Sequence, residues 1–119
     1  TMKFSNILWS ALKAIFAPNE EAKTYRERRV KFENNGRSGY VIFTEGYKSI
    51  RLYTEIGGGN CIFYVVIPSR DEWEKQTEYS LDERDEILKF IADECLKQQT
   101  SKAKAFYEVE EKHIVFYKK

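Results

Sequence analysis

Residues 50–67 read Ile-Arg-Leu-Tyr-Thr-Glu-Ile-Gly-Gly-Gly-Asn-Cys-Ile-Phe-Tyr-Val-Val-Ile, and the two halves of this stretch carry different hydrophobic patterns. In the first half Ile50, Leu52 and Ile56 alternate with Arg51, Tyr53 and Glu55, the period-two signature of a strand with one buried face. Gly57-Gly58-Gly59-Asn60 ends it. The second half, Cys61–Ile67, is apolar at both parities and rich in β-branched residues, which predicts a central strand covered on both faces. Pro68 closes that strand. The stretch therefore centres the fold on a sheet.

Working back from Ile50, Glu45-Gly46 marks a turn and Tyr40-Val41-Ile42-Phe43 a strand before it. Asn34-Asn35-Gly36 supplies a further turn, because these residues tolerate positive φ. Ahead of that turn Val30 and Phe32 sit among Arg26, Arg28, Arg29, Lys31 and Glu33, which reads as a charged edge strand. Phe4, Ile7, Leu8, Ala11, Leu12 and Ile15 recur at three- and four-residue steps, predicting an amphipathic helix over 5–16 that Pro18 stops. Trp9 and Phe16 widen its apolar face. Burial on the domain or a homodimer through residues 4–16 would cover it, and residues 2–17 form a detachable unit.

Working forward, residues 69–79 are polar around Trp73 and read as a connection whose single Trp packs back on the core. Ser80-Leu81-Asp82-Glu83 fits a capping box that opens a helix. Ile87, Leu88, Ile91, Ala92, Cys95 and Leu96 make its buried stripe, with Glu86–Lys89 and Asp93–Lys97 as supporting surface pairs. Residues 104–109 and 113–117 alternate around Glu110-Glu111-Lys112 as a last hairpin. The expectation is one α+β domain over 1–119, with the order helix, four strands, helix, two strands. About six mainly antiparallel strands form its sheet, both helices pack on it, and the strand order stays open.

The chain of 119 residues is 42% hydrophobic and 33% charged with a net charge of +1, which places it among chains that fold alone and excludes a whole-molecule field for nucleic acid or membrane. Charge is uneven locally. Residues 22–51 hold eight Lys/Arg against three acids, and residues 69–99 hold five against ten. The run Ile7–Phe16 is interrupted by Lys13 and falls far short of the ~20 apolar residues of a membrane span. A processed export leader is the alternative for it. Cys61 and Cys95 read as buried free thiols, which favours a reducing cytoplasm.

Catalytic groupings are sparse. His113 is the sole histidine and sits beside a hairpin turn, as a half-exposed strand residue. Cys61, Cys95 and His113 lack zinc-ligand spacing, so no metal is expected. The pairs Asp71/Glu72 and Asp82/Asp85 or Glu86 belong at solvated helix starts. Gly57-Gly58-Gly59 runs into a strand rather than a helix N-terminus, so it is a hairpin loop and no phosphate cradle. No cofactor and no enzymatic activity are expected.

Two recognition surfaces remain. Arg26, Arg28, Arg29 and Lys31, with Tyr25, Tyr40, Tyr47 and Tyr53 nearby, would suit single-stranded nucleic acid or another anionic ligand. Asp71, Glu72, Trp73, Glu74, Glu78 and Asp82 would suit a basic protein partner, with Trp73 as anchor.

Ile67-Pro68-Ser69, the isolated Trp73, Thr77 and the capped helix from Ser80 to Ile91, with its Arg84-x-x-Ile87-Leu88 face, resemble small immunity proteins of bacterial polymorphic-toxin systems. The resemblance covers about a quarter of the chain. It implies a single α+β domain that binds and inhibits a toxin, with no catalytic residues to carry over. The long N-terminal segment and the basic first strand depart from that pattern. The expected function is a non-enzymatic bacterial protein-binding domain, of immunity type, with nucleic-acid binding as the alternative.

Overall fold

A computed structural model describes residues 27–119. The helix expected over 5–16, the homodimer through residues 4–16, and Arg26 lie outside the described residues. Eight regular elements follow: β1 (Arg28–Asn35), β2 (Ser38–Glu45), β3 (Lys48–Ile56), β4 (Cys61–Val66), α1 (Arg70–Thr77), α2 (Arg84–Gln99), β5 (Ala105–Val109) and β6 (His113–Lys118). All six strands join one antiparallel sheet in the order β1-β2-β3-β4-β6-β5. The domain is α+β, as its alternating runs predict.

The first three strands form a meander through two tight turns. Asn35↔Ser38 and Glu45↔Lys48 close them, leaving Gly36-Arg37 and Gly46-Tyr47 as the two-residue loops. Gly36 and Gly46 hold φ of 77° and 63° at the first loop position, the place where a II′ turn needs glycine. β6 then inserts between β4 and β5, so the last hairpin adds through its second strand.

The element order departs from expectation between β4 and α2. Residues 70–77 form a helix where a connection is expected. Its buried line is only Trp73 and Thr77, four residues apart, too short for periodicity to register against polar neighbours. Asp71 and Glu72 in its first turn and Lys75 in its last complement the helix dipole. The helix ends at Glu78, in the left-handed region with φ 64°, whose N–H bonds to the Glu74 carbonyl. The Ser80–Glu83 capping box forms and heads a 3₁₀ turn, Leu81–Glu83, that leads into α2.

The core lies between one sheet face and the two helices. Val41, Phe43, Val65, Ile114 and Phe116 meet Trp73, Ile87, Leu88, Ile91 and Cys95, all essentially solvent-free. Each large side chain so buried contributes roughly 1.5–3 kcal/mol. The α2 stripe is the one its spacing predicts. Its surface pairs differ: Lys89 bonds to Asp93 at 2.8 Å and Lys97 to Glu94 at 3.0 Å, while Glu86 turns to Arg28 at 2.9 Å.

Among the described elements β4 is covered on one face only. Phe63 and Val65 are buried under the helices and half-buried Ile62 packs against the core, whereas half-buried Tyr64 and Val66 face the side over which no described element lies. The joint between β3 and β4 is also short, limited to Thr54↔Val65, Glu55↔Tyr64 and Ile56↔Phe63. Continuing that register would set Pro68 opposite Arg51. Proline has no N–H to donate, and the Pro68 carbonyl is already held by Arg84, so pairing does not resume there. No helix among the described residues is long and apolar enough to cross a membrane.

Candidate functional site

Strand alternation sorts the basic cluster onto two faces. Arg28 points to the helix side, where its Nε bonds to Glu45 at 2.8 Å and its Nη1 to Glu86 at 2.9 Å. Burial alone would lower its pKa; its hydrogen bonds to the Glu45 and Glu86 carboxylates outweigh that and raise it. Arg29 and Lys31 point to the other face, and Arg29 pairs with Glu27 at 2.9 Å. Consecutive residues of a strand face opposite ways, so Arg28 and Arg29 cannot grip one phosphate chain together.

The acidic group is also divided. Asp71, Glu72, Glu74, Glu78 and Asp82 are exposed along α1 and the turn after it. Glu74 accepts the Leu81 N–H at 2.8 Å, and Glu72 accepts from the Gln76 amide at 3.0 Å. Trp73 is fully buried and its indole N–H bonds to the Ser80 carbonyl at 2.9 Å. It serves as a core plug and is not available to anchor a partner.

What the structure brings together is the face of the sheet that no described element covers. Tyr40 and Tyr53 are direct cross-strand partners, 38% and 39% exposed, with their rings edge-on at 6.1 Å. Arg51 lies 3.9 Å over the Tyr40 ring and 3.7 Å from Glu33. The hydroxyls of Tyr53 and Tyr64 both donate to Glu55 Oε1, at 3.0 and 2.9 Å. That bond to Glu55 raises the Tyr64 phenol above its ordinary pKa. His113 meets the Tyr64 ring edge-on at 5.7 Å, and Phe106 stacks on Tyr117 at 5.3 Å near the far edge. The face is aromatic across its width, with its charges largely matched to one another.

Tyr40 and Tyr53 are legible in the sequence as outward positions of alternating strands. Tyr64, Tyr117 and Phe106 are not, because β4 reads as covered on both sides. Arg84 is missed for another reason. It is 2% exposed, and its Nη2 donates to the carbonyls of Pro68 at 2.9 Å and Glu111 at 2.8 Å. The signal was its position, three and four residues before Ile87 and Leu88, on the buried stripe itself.

Among the described residues no group of three or more His, Cys, Asp or Glu side chains is placed to hold a metal ion. His113 packs on Tyr64, and the Cys95 thiol is buried in the core, where desolvation pushes its pKa up to about 12. Comparison with protein-family models, with curated proteins and with solved structures found no match.

Proposed function

We propose that this chain is a non-catalytic protein-recognition domain whose binding surface is the open face of its sheet. One observation carries the reading: Tyr40, Tyr53, Tyr64, Tyr117 and Phe106 share a face that no described element covers. Tyrosine offers large rigid contact area at low entropic cost together with a polar tip, and exposed apolar patches rimmed by charge mark protein interfaces.

Toxin immunity in a bacterial cytoplasm is the specific form that the sequence resemblance suggests. The residues behind the resemblance form core and cap, which speaks for a fold rather than a contact. Asp71, Glu72, Glu78 and Asp82 supply an exposed acidic surface that would steer a basic partner. Its anchor then passes from Trp73 to the tyrosines.

Nucleic-acid binding is the second reading, favoured by Arg29, Lys31 and Arg51 sharing the face with Tyr40 and Tyr53. Glu27, Glu33 and Glu55 lie beside them and weaken the positive field on which backbone contacts depend.

Photo-crosslinking separates the two. With p-benzoylphenylalanine in place of Tyr40 in the source cells, the expected adduct is one defined protein that Tyr53→Asp abolishes without unfolding the domain. The same label in place of Lys75, on α1, should give none. A labelled oligonucleotide should not bind at micromolar protein in low salt. Tight, salt-sensitive binding lost in Lys31→Glu would replace the protein reading with the nucleic-acid one.

A further inference from the structure

The short β3–β4 joint opens a cleft of about 370 Å³ beside α1, with Arg51, Tyr53, Pro68, Glu72, Lys112 and His113 in its walls. The backbone of β3 along this cleft is the notable part. Glu45↔Lys48 closes a two-residue hairpin and exchanges both of its backbone hydrogen bonds, so by alternation Phe43↔Ile50 and Val41↔Leu52 do the same. The N–H and C=O groups of Ser49, Arg51 and Tyr53 therefore point away from β2, toward β4.

At Ser49 and Arg51 β4 is no longer a partner. Pro68, at the register position of Arg51, lacks a donor and gives its carbonyl to Arg84. Ile67 turns its N–H to the Lys112 carbonyl on the β6 side, at 2.9 Å. On α1 the Gln76 amide bonds to Glu72 rather than to β3. Among the described residues, no hydrogen bond reaches the backbone of Ser49 or Arg51 from the cleft.

The outer edge of the same sheet is treated differently. On β1 the Gln98 side chain donates to the Val30 carbonyl at 2.8 Å, and exposed Arg29 and Lys31 flank it, which blunts the edge against further pairing. Among the described residues the inner edge of β3 carries no such guard at Ser49 and Arg51, and Arg51, Leu52 and Tyr53 line the cleft itself.

We infer that this cleft accepts an extended segment of the protein partner, which adds as a short strand along Ser49–Leu52. The inference rests on the protein-recognition reading and names how the partner is held. Arg51 and Lys112 line the walls against the single acid Glu72, so the segment is acidic at its outward positions. Backbone bonds to Ser49 and Arg51 supply register, and side-chain charge supplies selectivity.

Backbone amide exchange on the full-length, isotope-labelled chain tests it, with acetyl-Val-Glu-Val-Glu-Val-amide as probe. In the free chain the Ser49 and Arg51 amides should exchange rapidly while Ile50 and Leu52, bonded to β2, are protected. Saturating probe should slow Ser49 and Arg51 by about tenfold or more. The peptide with Lys for Glu should bind more weakly, and Ser49→Pro, which removes a cleft-facing N–H but no β2 bond, should abolish the effect. Should Ser49→Pro fail to fold, Gln76→Trp blocks the cleft instead.

Protection of Ser49 and Arg51 in the free chain at all concentrations would overturn the inference in favour of an internal occupant. Protection that appears only as concentration rises would overturn it in favour of a second copy. Probe-induced changes confined to the open tyrosine face would overturn strand addition itself. A protein adduct at Tyr40 with no probe effect at Ser49 removes this inference and leaves the protein-recognition reading standing.

Discussion

The Arg84 guanidinium lies over the Trp73 ring, 5.9 Å from its centre. Its Nη2 reaches the Pro68 and Glu111 carbonyls, while its Nε is buried with no hydrogen-bond partner among the described residues. One side chain thus ties the exit of β4, the β5–β6 turn and both helices together. Arg84→Ala should lower unfolding free energy by about 3 kcal/mol, through a cavity, two lost charge-assisted bonds and a stranded Pro68 carbonyl. Arg84→Lys keeps charge but not the two-carbonyl geometry and should lose about half as much. Urea unfolding measures both, and an Arg84→Lys chain as stable as the parent would show that the two-carbonyl geometry is irrelevant at this position.

Glu45 is 3% exposed and joins Arg28 to the Tyr79 hydroxyl, which donates to its Oε1 at 2.9 Å. Removing one member of a buried charged group is costly because the others stay behind. Glu45→Ala should destabilise by about 3 kcal/mol, and Tyr79→Phe by about 1 kcal/mol. Burial, helped by Glu45, drives the Tyr79 phenol far above its ordinary pKa. A spectrophotometric titration should show one tyrosine that ionises only as the chain unfolds, and that step should vanish in Tyr79→Phe.

Burial would raise the Asp93 carboxyl, but hydrogen bonds from Lys89 and Tyr107 outweigh it and leave its pKa below the ordinary value. A depressed folded pKa adds stability above the unfolded pKa of about 4, and that share is lost as pH falls through the folded value. Asp93 is partly solvated, so Asp93→Asn should cost under about 1 kcal/mol at pH 7. The difference from the parent chain should fade as pH falls below the ordinary carboxylate range. A constant difference across that range would assign the effect to packing.

Cys95 is solvent-free and its pKa is pushed up to about 12, whereas Cys61 is half-buried with a thiol raised by burial. A disulfide reagent at pH 8 should modify Cys61 alone in the native chain and both thiols in denaturant. Native modification of Cys95 at a comparable rate would mean that α2 lifts from the sheet on the timescale of the assay.

The strands were legible from period-two alternation in β1, β3, β5 and β6 and from the short apolar runs of β2 and β4, with glycine at the turns that join the first four. α1 was not, since two buried residues four apart do not make a period. The strand order was not either: a β4–β6 pairing depends on side chains that meet only after two helices intervene. At the site, alternation marks Tyr40 and Tyr53 as outward-facing, yet the doubly apolar run Cys61–Ile67 suggests cover on both faces and hides Tyr64. The same alternation, applied to adjacent arginines, separates Arg28 from Arg29 and dissolves a cluster that is compact only along the chain. Trp73 shows the converse, a conspicuous residue whose role is internal.

The order β1-β2-β3-β4-β6-β5 also sets a sequence of events in time. β1, β2 and β3 close through two-residue turns and need little chain entropy to find one another. The β4–β6 pair joins residues as far apart as Cys61 and Tyr117. Its closure needs the helical segment between them to fold back, which makes this joint, rather than the meander, the entropically costly step of folding. Before that step, the meander presents the inner edge of β3 along its whole length, and the encounter of β4 with Thr54, Glu55 and Ile56 decides how much of that edge stays exposed.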